Sequence, residues 1–596
     1  MSNRRMIVGD KPKDTKSAFL QLINYLGENS RLLFIAISCS VLTTLGALYG
    51  SYAISPIIQI VENGLNQIIT VNEAMRQVMQ ALTILALVYI AEVIVHYVSS
   101  RIMIVVSQNT VKRIREDLFS KVMRIPISLH DKYTHGELMS RFTNDVDLVS
   151  EALNISAGAI ITSILSLIGT VILMLLLSPL MGVICCIIIP LLSLLSRYIV
   201  NASKKFTRLS QKSLGDLNGN IEEAIEGQMV LQLFNHEEAQ FNLFAKLSNH
   251  YRGNAYKAQS FSTAIFPVMM NMNNINYTLM GVIGGFLVIN GHLSIANLSA
   301  FVLLTKQLGR PINEISMQYT SIQSALASAE RIFEVMSWEN ETVLEDELEL
   351  TDIKGDVKFE DVTFGYVENQ VVLNHISFYA HPGQKIAIVG STGAGKTTIT
   401  NLISRFYDVN SGVIKIDDMD ITKLNRFSLR KHIAMVLQDT HLFTGSVLEN
   451  IRYGNLDASD EECIEAAKLA NADSFIEKLE HGYNTIISGT GTELSVGQRQ
   501  LLNIARAAVA NPKILILDEA TSSIDTRTER LIEKGMDRLM EGRTTFVIAH
   551  RLSTVRNANA ILVVEKGEII ERGDHDDLVA QNGRYASLYS GQTKLT

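Results

Sequence analysis

The sequence predicts an α-helical membrane domain with six spans, fused to a soluble α/β domain. Long apolar runs recur up to about residue 325, and the first of them, residues 32–60, has no charged side chain. A bilayer needs only about 20 such residues. Beyond about residue 345 the pattern is that of a mixed α/β domain, in which the apolar segment Lys385–Val389 precedes a glycine-rich turn. The 596 residues are too many for one core, and we divide them into 1–30, 31–325, a linker 326–350, and 351–596.

Loop charges orient the predicted spans. Segments rich in Lys and Arg precede span one and separate spans two and three and spans four and five, whereas the alternate loops are poor in both residues. By the positive-inside rule both termini are therefore cytoplasmic, in a multi-pass protein of the cytoplasmic membrane. The five spans that follow the first lie near 78–100, 153–177, 180–199, 259–289 and 294–318.

The two inner loops, each about 45 to 60 residues long, have helical periodicity and are expected to continue the spans as helices. Breaks in the apolar pattern near 129–133 and 213–220 mark their predicted tips, the first of them with a short transverse helix. Residues 17–27 predict an amphipathic helix at the inner membrane surface, with Phe19, Leu22, Ile23 and Leu26 on one face.

Composition argues against two classes of function. A net charge of −8 spread over the whole chain gives no sign of nucleic-acid binding. The four cysteines lack the spacing of a metal site and are expected to be buried free thiols rather than disulfides; they are Cys39, Cys185, Cys186 and Cys463.

The glycine-rich turn fits the phosphate-binding pattern G-x-x-x-x-G-K-[ST] and stands between the predicted strand Lys385–Val389 and a predicted helix, Thr398–Phe406, as this motif requires. Its glycines let successive backbone N–H groups face one anion, and the helix N-terminus favours negative charge. Lys396 is predicted to reach the β- and γ-phosphates of a nucleoside triphosphate, and Thr397 to hold Mg²⁺. The predicted binding residues are Gly390, Ser391, Thr392, Gly393, Ala394, Gly395, Lys396, Thr397 and Thr398.

A second apolar segment, Lys513–Leu517, reads as a buried strand that ends in two acids. Asp518 is predicted to hold Mg²⁺, directly or through water, and Glu519 to polarise the attacking water. A phosphate-binding loop with a downstream acidic strand end predicts hydrolysis of the bound nucleotide.

Between these two motifs stands Leu494-Ser-Val-Gly-Gln-Arg-Gln500, before a predicted helix. With this segment the chain resembles ATP-binding cassette exporters over nearly its whole length. The resemblance implies the type IV exporter fold, with ATP and Mg²⁺ as cofactors. By this resemblance Gln438 lies in the Q-loop, and Ser522–Asp525 form the D-loop, which ends in Asp525. His550 is the switch histidine, and Tyr366 is the aromatic residue that stacks on adenine. Similarities in the membrane half are Gly136–Arg141, Asn144, Asp145 and Arg331–Glu334.

The chain departs from the family pattern at Val496, because the usual signature is Leu-Ser-Gly-Gly-Gln. In the family two nucleotide domains meet head to tail, so each signature contacts the ATP held by the partner. Val adds β-branched bulk where Gly lets the backbone approach a phosphate closely. We therefore expect a heterodimer with a second half-transporter subunit and one impaired ATP site; a homodimer that tolerates the substitution is the alternative. The signature residues are Ser495, Val496, Gly497 and Gln498.

Polar groups inside predicted spans are candidates for a substrate cavity. Glu92 and His96 lie four residues apart, hence on one helix face. They either favour cationic or proton-linked cargo, or pair with each other or with a neighbouring span. The same alternatives apply to four residues of the fifth span, since interhelical hydrogen bonds also use such side chains; these are Asn271, Asn273, Asn274 and Asn276.

The predicted function is ATP-driven export of an amphipathic drug, lipid or peptide, with Glu519, His550 and Gln438 as catalytic residues. A lipid flippase and a homodimeric exporter are the main alternatives, and an ATP-gated channel would share every motif. An importer is disfavoured because its membrane and nucleotide halves are usually separate chains. The six predicted spans disfavour a cassette ATPase that transports nothing.

Overall fold

A computed structural model describes residues 14–341, 347–367, 370–438, 440–489, 491–518, 525–549 and 555–590. The chain forms two compact units. The first contains the residues up to Met123 together with His135–Trp338, and the second contains Arg124–Thr134 together with the residues from Glu339 onward. The boundary between the units therefore falls within the stretch 326–350 that we assigned to the linker, and the tip of the first inner loop belongs to the second unit.

The first unit is helical. Two short π-helices, Arg141–Asp145 and Ala152–Ser156, interrupt it within the segment that leads to the third span. The α-helices up to the first unit's end, including the short α5 of the loop tip, are α1 (Thr15–Gly27), α2 (Ser30–Tyr52), α3 (Ile54–Leu65), α4 (Val71–Val122), α5 (Ile127–His130), α6 (His135–Ser140), α7 (Val146–Glu151), α8 (Ala157–Leu177), α9 (Pro179–Glu226), α10 (Gln228–Leu233), α11 (Glu237–Ile289) and α12 (Ile295–Ser337).

Helices cover the predicted spans, but α2 and α3, which are separated at Ala53, share the first, and the third begins within the π-helix Ala152–Ser156. Four segments of the described chain are long and apolar enough to cross a membrane: Ser30–Leu65, Val71–Val122, His135–Leu177 and Glu237–Ile289. At 1.5 Å per residue the 52 residues of α4 extend about 78 Å, far beyond a hydrocarbon core of about 30 Å. The prediction that the spans continue as long helices is confirmed.

The loop tips show one agreement and one error. Helix α5 lies at the break predicted for the first loop. In the second loop the predicted break near 213–220 is wrong, because α9 runs unbroken to Glu226 and the chain turns only between Gly227 and His236. Gly215 and Gly219 lie inside the helix at the predicted break, with open space where a Cβ would point.

Helix α1 packs on α12 and α4 through Leu22 and Leu26 of the predicted apolar face, together with Ala18. Ala18 and Leu22 are buried in a cluster with Val111, Ile114 and Leu118, whereas Phe19 and Ile23 are exposed. The helix is thus amphipathic in the expected sense, with a packed side and an apolar side left open.

A buried carboxylate joins two segments of the first unit that are 186 residues apart. Asp145 accepts hydrogen bonds from Arg141 Nη1 at 2.9 Å and from Arg331 Nε at 3.1 Å, and a second Arg331 nitrogen contacts its other oxygen. Arg331 also donates to Ser328 Oγ at 2.9 Å. Because loss of one partner would leave an uncompensated buried charge, this cluster fixes the π-helix to the last turns of α12.

The second unit contains a six-stranded sheet, a four-stranded antiparallel sheet and a small two-stranded one. The six-stranded sheet has the order β12-β11-β3-β10-β9-β6, parallel except for β12. The four-stranded sheet has the order β2-β1-β4-β5. The strands are β1 (Val357–Phe364), β2 (Leu373–Ala380), β3 (Lys385–Val389), β4 (Ser411–Ile416), β5 (Met419–Asp420), β6 (Ile433–Val436), β7 (Gly445–Ser446), β8 (Ile486–Ile487), β9 (Ile514–Asp518), β10 (Thr544–Ile548), β11 (Ala560–Glu565) and β12 (Glu568–Gly573).

Strand alternation divides the α/β unit into two cores. In β3, Ile386 and Ile388 face one core, which also contains the antiparallel sheet, whereas Ala387 and Val389 face the other, which contains most of the helices. The helices of this part are α13 (Lys396–Ile403), α14 (Arg426–Lys431), α15 (Val447–Arg452), α16 (Asp460–Leu469), α17 (Asp473–Ile476), α18 (Val496–Val509), α19 (Thr526–Met540), α20 (His575–Ala580) and α21 (Arg584–Tyr589).

Five acids before β1 predict a solvated linker by their charge (Glu339, Glu341, Glu345, Asp346 and Glu347), but Glu341 and Glu347 form largely buried ion pairs. Glu341 accepts hydrogen bonds from Arg430 at 2.9 and 2.7 Å and from Arg426 at 3.2 Å. Burial opposes its ionisation, but Arg430 and Arg426 outweigh burial and lower the pKa of the Glu341 carboxyl. Glu347 is likewise buried, against Arg405.

The four cysteines are free thiols, in agreement with the prediction. Cys185 and Cys463 are buried as expected, but Cys39 is half-buried and Cys186 is exposed. An apolar sequence context does not distinguish a core position from one on the outside of a membrane helix.

Candidate functional site

The predicted nucleotide residues follow the carboxyl ends of four neighbouring parallel strands. Parallel pairing places Ile548 opposite both Ile388 and Asp518, and Val436 opposite Leu517. The loop after β3, the end of β9, and the segments after β10 and β6 therefore meet at one edge of the sheet. Open α/β sheets bind their ligands at this edge.

The geometry of the loop after β3 depends on its glycines. Gly393 and Gly395 have φ angles of 80° and 105°, which side-chain-bearing residues rarely adopt. At Gly390 a Cβ would overlap the carbonyl oxygen of Val564. Gly395 caps α13, whose first residue is Lys396. The predicted strand-turn-helix setting is confirmed, with α13 starting two residues earlier than predicted.

Lys396 is the buried cation of the loop. Its Nζ donates to the carbonyl oxygens of Gly390 at 2.6 Å and Ser391 at 3.1 Å. Burial lowers the pKa of the Lys396 ammonium, and the charge of Asp518 opposes that change. An ammonium that donates to neutral carbonyls keeps its positive charge for a phosphate group.

The oxygen donors around the loop suit Mg²⁺, which prefers hard oxygen ligands. Thr397 occupies the second position of α13, Asp518 ends β9, and Gln438 is exposed two residues after β6. Their hydroxyl, carboxylate and amide oxygens remain the predicted ligands of Mg²⁺. Within the described residues, no group of three or more His, Cys, Asp or Glu side chains offers another metal site.

Two predicted catalytic residues, Glu519 and His550, lie outside the described residues, as does Ser522–Ile524 of the D-loop. Their neighbours are described: Asp518 ends β9, and Ala549 directly follows β10. Asp525 caps α19 through its carboxylate, which accepts from the backbone N–H groups of Thr528 and Arg527. The hydrogen bond from Thr528 lowers the pKa of the Asp525 carboxyl.

Tyr366, the predicted adenine contact, is anchored on the helix that follows the loop. Its hydroxyl donates to Thr398 Oγ1 at 3.1 Å and accepts from Asn401 Nδ2 at 3.4 Å. Its ring makes an edge contact with Tyr407, with centroids 4.9 Å apart. The Tyr407 hydroxyl in turn donates to Asp131, in the loop tip that belongs to the same unit. Burial, then Asp131, raises the pKa of Tyr407.

This chain of contacts was not predicted from the sequence, because Asp131 and Tyr407 are 276 residues apart. The one sequence signal for these contacts was the aromatic pair Phe406-Tyr407, just after α13. These contacts connect the loop tip directly to the ring that is predicted to stack on adenine.

Replacing Tyr366 with Ala is expected to weaken ATP binding about tenfold or more, since base stacking contributes about 1–3 kcal/mol. Tyr366→Phe or Tyr366→Trp should bind nearly as the unaltered chain does, because each retains an aromatic face. Titration with a fluorescent ATP analogue measures this. Tyr379→Ala, which removes an exposed tyrosine of β2, is the matched control. Equal affinity in all three Tyr366 variants would contradict the stacking role.

The signature segment forms the N-terminus of α18. Ser495 accepts from the N–H of Gln498 at 3.2 Å, and Gln498 accepts from the N–H of Ser495 at 2.8 Å, which together form a capping box. Val496 is the first residue of the helix, and 48% of its surface is exposed. Its side chain therefore has no core to fill, so packing within this chain does not account for the valine.

The polar residues predicted in spans two and five have varied surroundings. Glu92 lies beside Gly46 of α2, and no ion pair or hydrogen bond joins it to the exposed His96. The others are on α11: Asn271 donates to Pro267 of its own helix, Asn273 donates to the Lys306 carbonyl of α12, Asn274 is exposed, and Asn276 is buried and donates to Cys185 Sγ.

The sixth predicted span also contains three charged residues that the search for polar groups in spans did not single out. Lys306, Arg310 and Glu314 recur every four residues along α12, and this span has more charged side chains than any of the other five. The rule that drew attention to Glu92 would have found them, since charges in membrane helices mark functional positions.

Two family models match the chain. One, described as the ABC transporter transmembrane region, matches residues 33–312, and one described as ABC transporter matches residues 373–522. Both matches fall where the sequence placed a membrane domain and a nucleotide domain.

Curated relatives match over most of their length. An uncharacterized ABC transporter ATP-binding protein, YfiC of Bacillus subtilis, is 42% identical over 98% of this chain and 95% of its own. A fatty acid ABC transporter ATP-binding/permease protein of Mycobacterium tuberculosis is 41% identical over 84% of this chain and 79% of its own. Among solved structures, a bacterial Atm1-family ABC exporter with ATP bound superposes with a TM-score of 0.77 at 26% identity, over 95% of this chain and 99% of that one.

Proposed function

The chain belongs to the ABC transporters that fuse a transmembrane region to an ATP-binding domain, and on this basis we propose that it is one half of a dimeric exporter of amphipathic substrates. Like other members it couples ATP hydrolysis to transport across a membrane. The substrate class proposed covers drugs, lipids and peptides. The fatty acid named for the Mycobacterium relative falls within it, and this favours a lipid.

The observation that carries the proposal is the meeting of the four strand ends next to the glycine loop. The loop amides and the N-terminus of α13 bind the phosphates of ATP, and Lys396 neutralises their charge. Mg²⁺, held by Thr397, Asp518 and Gln438, would polarise the β- and γ-phosphate oxygens when bound. Glu519 accepts a proton from the attacking water, and His550 stabilises the charge that develops on the γ-phosphate.

Transport follows from a population shift between inward- and outward-facing states. Two ATP molecules hold the paired nucleotide domains together, and hydrolysis releases them. The contact of Asp131 with Tyr407 joins the first inner-loop tip to the nucleotide domain, and Gln438 is the residue we propose to couple hydrolysis to the membrane half. We propose further that the complex is heterodimeric, with the impaired ATP site at Val496.

A transport assay in sealed vesicles tests the proposal. The purified complex in inside-out proteoliposomes should accumulate a fluorescent amphiphile only with hydrolysable ATP, and Lys396→Ala should lose both uptake and ATPase activity because the phosphates lose their cation. Ionic current that persists with ATP bound but not hydrolysed would instead indicate an ATP-gated channel. Lys415→Ala, which removes an ammonium paired to Glu360 on the antiparallel sheet, is the matched control.

A further inference from the structure

One face of α12 places two cations deep in the predicted sixth span. Lys306 and Arg310 are four residues apart and so project from the same side of the helix. They lie about 16 and 22 Å along the axis from the first residue of α12, whereas the apolar core of a bilayer is about 30 Å thick. Lys306 therefore sits near the middle of the span.

Glu314, the acidic residue on this face, already accepts hydrogen bonds through both carboxylate oxygens. Glu314 accepts from Arg310 Nε at 2.9 Å through one carboxylate oxygen and from Ser163 Oγ of α8 at 2.7 Å through the other. Ser163 is buried, which fixes the carboxylate in place. The Arg310 side chain is nevertheless 85% exposed, so the remaining guanidinium N–H groups are open to a ligand.

Lys306 contacts the neighbouring helix through its backbone carbonyl, not through its ammonium group. Its carbonyl accepts from Asn273 Nδ2 of α11 at 3.1 Å, and the same Asn273 side chain packs closely against Gly309. The Lys306 side chain is exposed, and among the described residues it forms no ion pair. Two cations and one acid leave this face with an excess positive charge.

A cation at this depth is costly on a lipid-facing surface and normally faces a water-filled cavity or a polar partner. Met317, two turns beyond Arg310 on the same face, is also exposed, and methionine adapts to apolar groups of varied shape. The face thus combines an anion-binding part with an apolar part.

We propose that Lys306 and Arg310 bind the anionic head group of an amphipathic substrate, with Glu314 orienting the guanidinium. The inference rests on the proposed export function and narrows its substrate class to amphiphiles with a carboxylate or phosphate head. A planar guanidinium pairs bidentately with either oxyanion, while the lysine supplies a point charge.

The experiment uses the complete transporter in nanodiscs of phosphatidylcholine. ATPase stimulation and direct binding are titrated with four amphiphiles of equal chain length: oleate, oleoyl lysophosphatidic acid, oleyl alcohol and oleylamine. Lys306→Gln and Arg310→Gln should each raise the half-saturating concentration of the anionic amphiphiles about tenfold or more, since a charge-assisted hydrogen bond is lost. Arg310→Lys should restore part of the affinity, and Lys306→Glu should shift preference toward oleylamine. A stronger response to oleate than to lysophosphatidic acid assigns a carboxylate head, and the reverse assigns a phosphate.

Lys112→Gln, which removes an exposed cation from α4 outside this face, is the matched control and should respond as the unaltered complex does. Equal responses to charged and uncharged amphiphiles, or unaltered oleate binding in both glutamine variants, would overturn the anion site while leaving export intact. Absence of ATP hydrolysis in the unaltered complex would overturn the export function and the site together.

Discussion

Glu519→Gln is expected to lower ATP hydrolysis by a factor of about 100 or more and to leave ATP binding intact. A positioned general base contributes about 10²- to 10⁴-fold to a hydrolytic rate, and the amide cannot accept the proton. Glutamine has nearly the same shape, so the contacts with the phosphates are retained. The variant should therefore accumulate as a closed dimer with ATP trapped, which steady-state ATPase rates and retention of labelled ATP after gel filtration measure.

Glu541→Gln provides the control, because it removes an exposed carboxylate at the end of α19 without touching the nucleotide edge. Its rate should equal that of the unaltered complex. Near-normal hydrolysis by Glu519→Gln would show that another group activates the water and would remove the assignment of this residue.

A second expected result concerns Val496. If the signature of this chain faces an impaired site, Val496→Gly should raise ATP turnover of the complex about twofold, because a second site joins the first at similar rate. The exposed position of Val496 at the first residue of α18 means that its removal opens no cavity in the core. Site-resolved single-turnover measurements, with the catalytic carboxylate of one subunit replaced at a time, assign the gain to the correct site.

Val496→Ala distinguishes the effect of side-chain bulk at this position from the effect of backbone flexibility. Alanine removes the β-branch without adding the flexibility of glycine, which costs about 1 kcal/mol in a helix. An intermediate gain is expected for alanine. If both variants hydrolyse ATP at the original rate and the two sites turn over equally, Val496 is a tolerated substitution in an active site.

The parts of the fold and site that could be predicted from sequence are those fixed by local patterns. The strand Lys385–Val389 has the predicted bounds, because an apolar run before a glycine turn is a short-range signal. The long helices and the short helix at the first loop tip follow from periodicity in the same way.

Contacts between segments that are distant in the sequence could not be predicted, because the local pattern around one residue does not indicate its partner. The sequence pointed separately to Asp145 and Arg331, but only the fold brings them together. Glu341 looked solvated because acids surround it in the chain, and its arginine partners lie 85 and 89 residues away. The predicted break near 213–220 was wrong because an interruption of the apolar pattern does not end a helix that its packing and length sustain.

The central claim is that this chain supplies the hydrolytic half of an asymmetric pair. Purification of the tagged chain from its native membrane, with mass spectrometry of what accompanies it, tests this most directly. We expect one second cassette subunit in equal amount, and a complex that Glu519→Gln of this chain silences but the same change at the equivalent partner position affects little. Recovery of this chain alone, as a fully active homodimer, would contradict it.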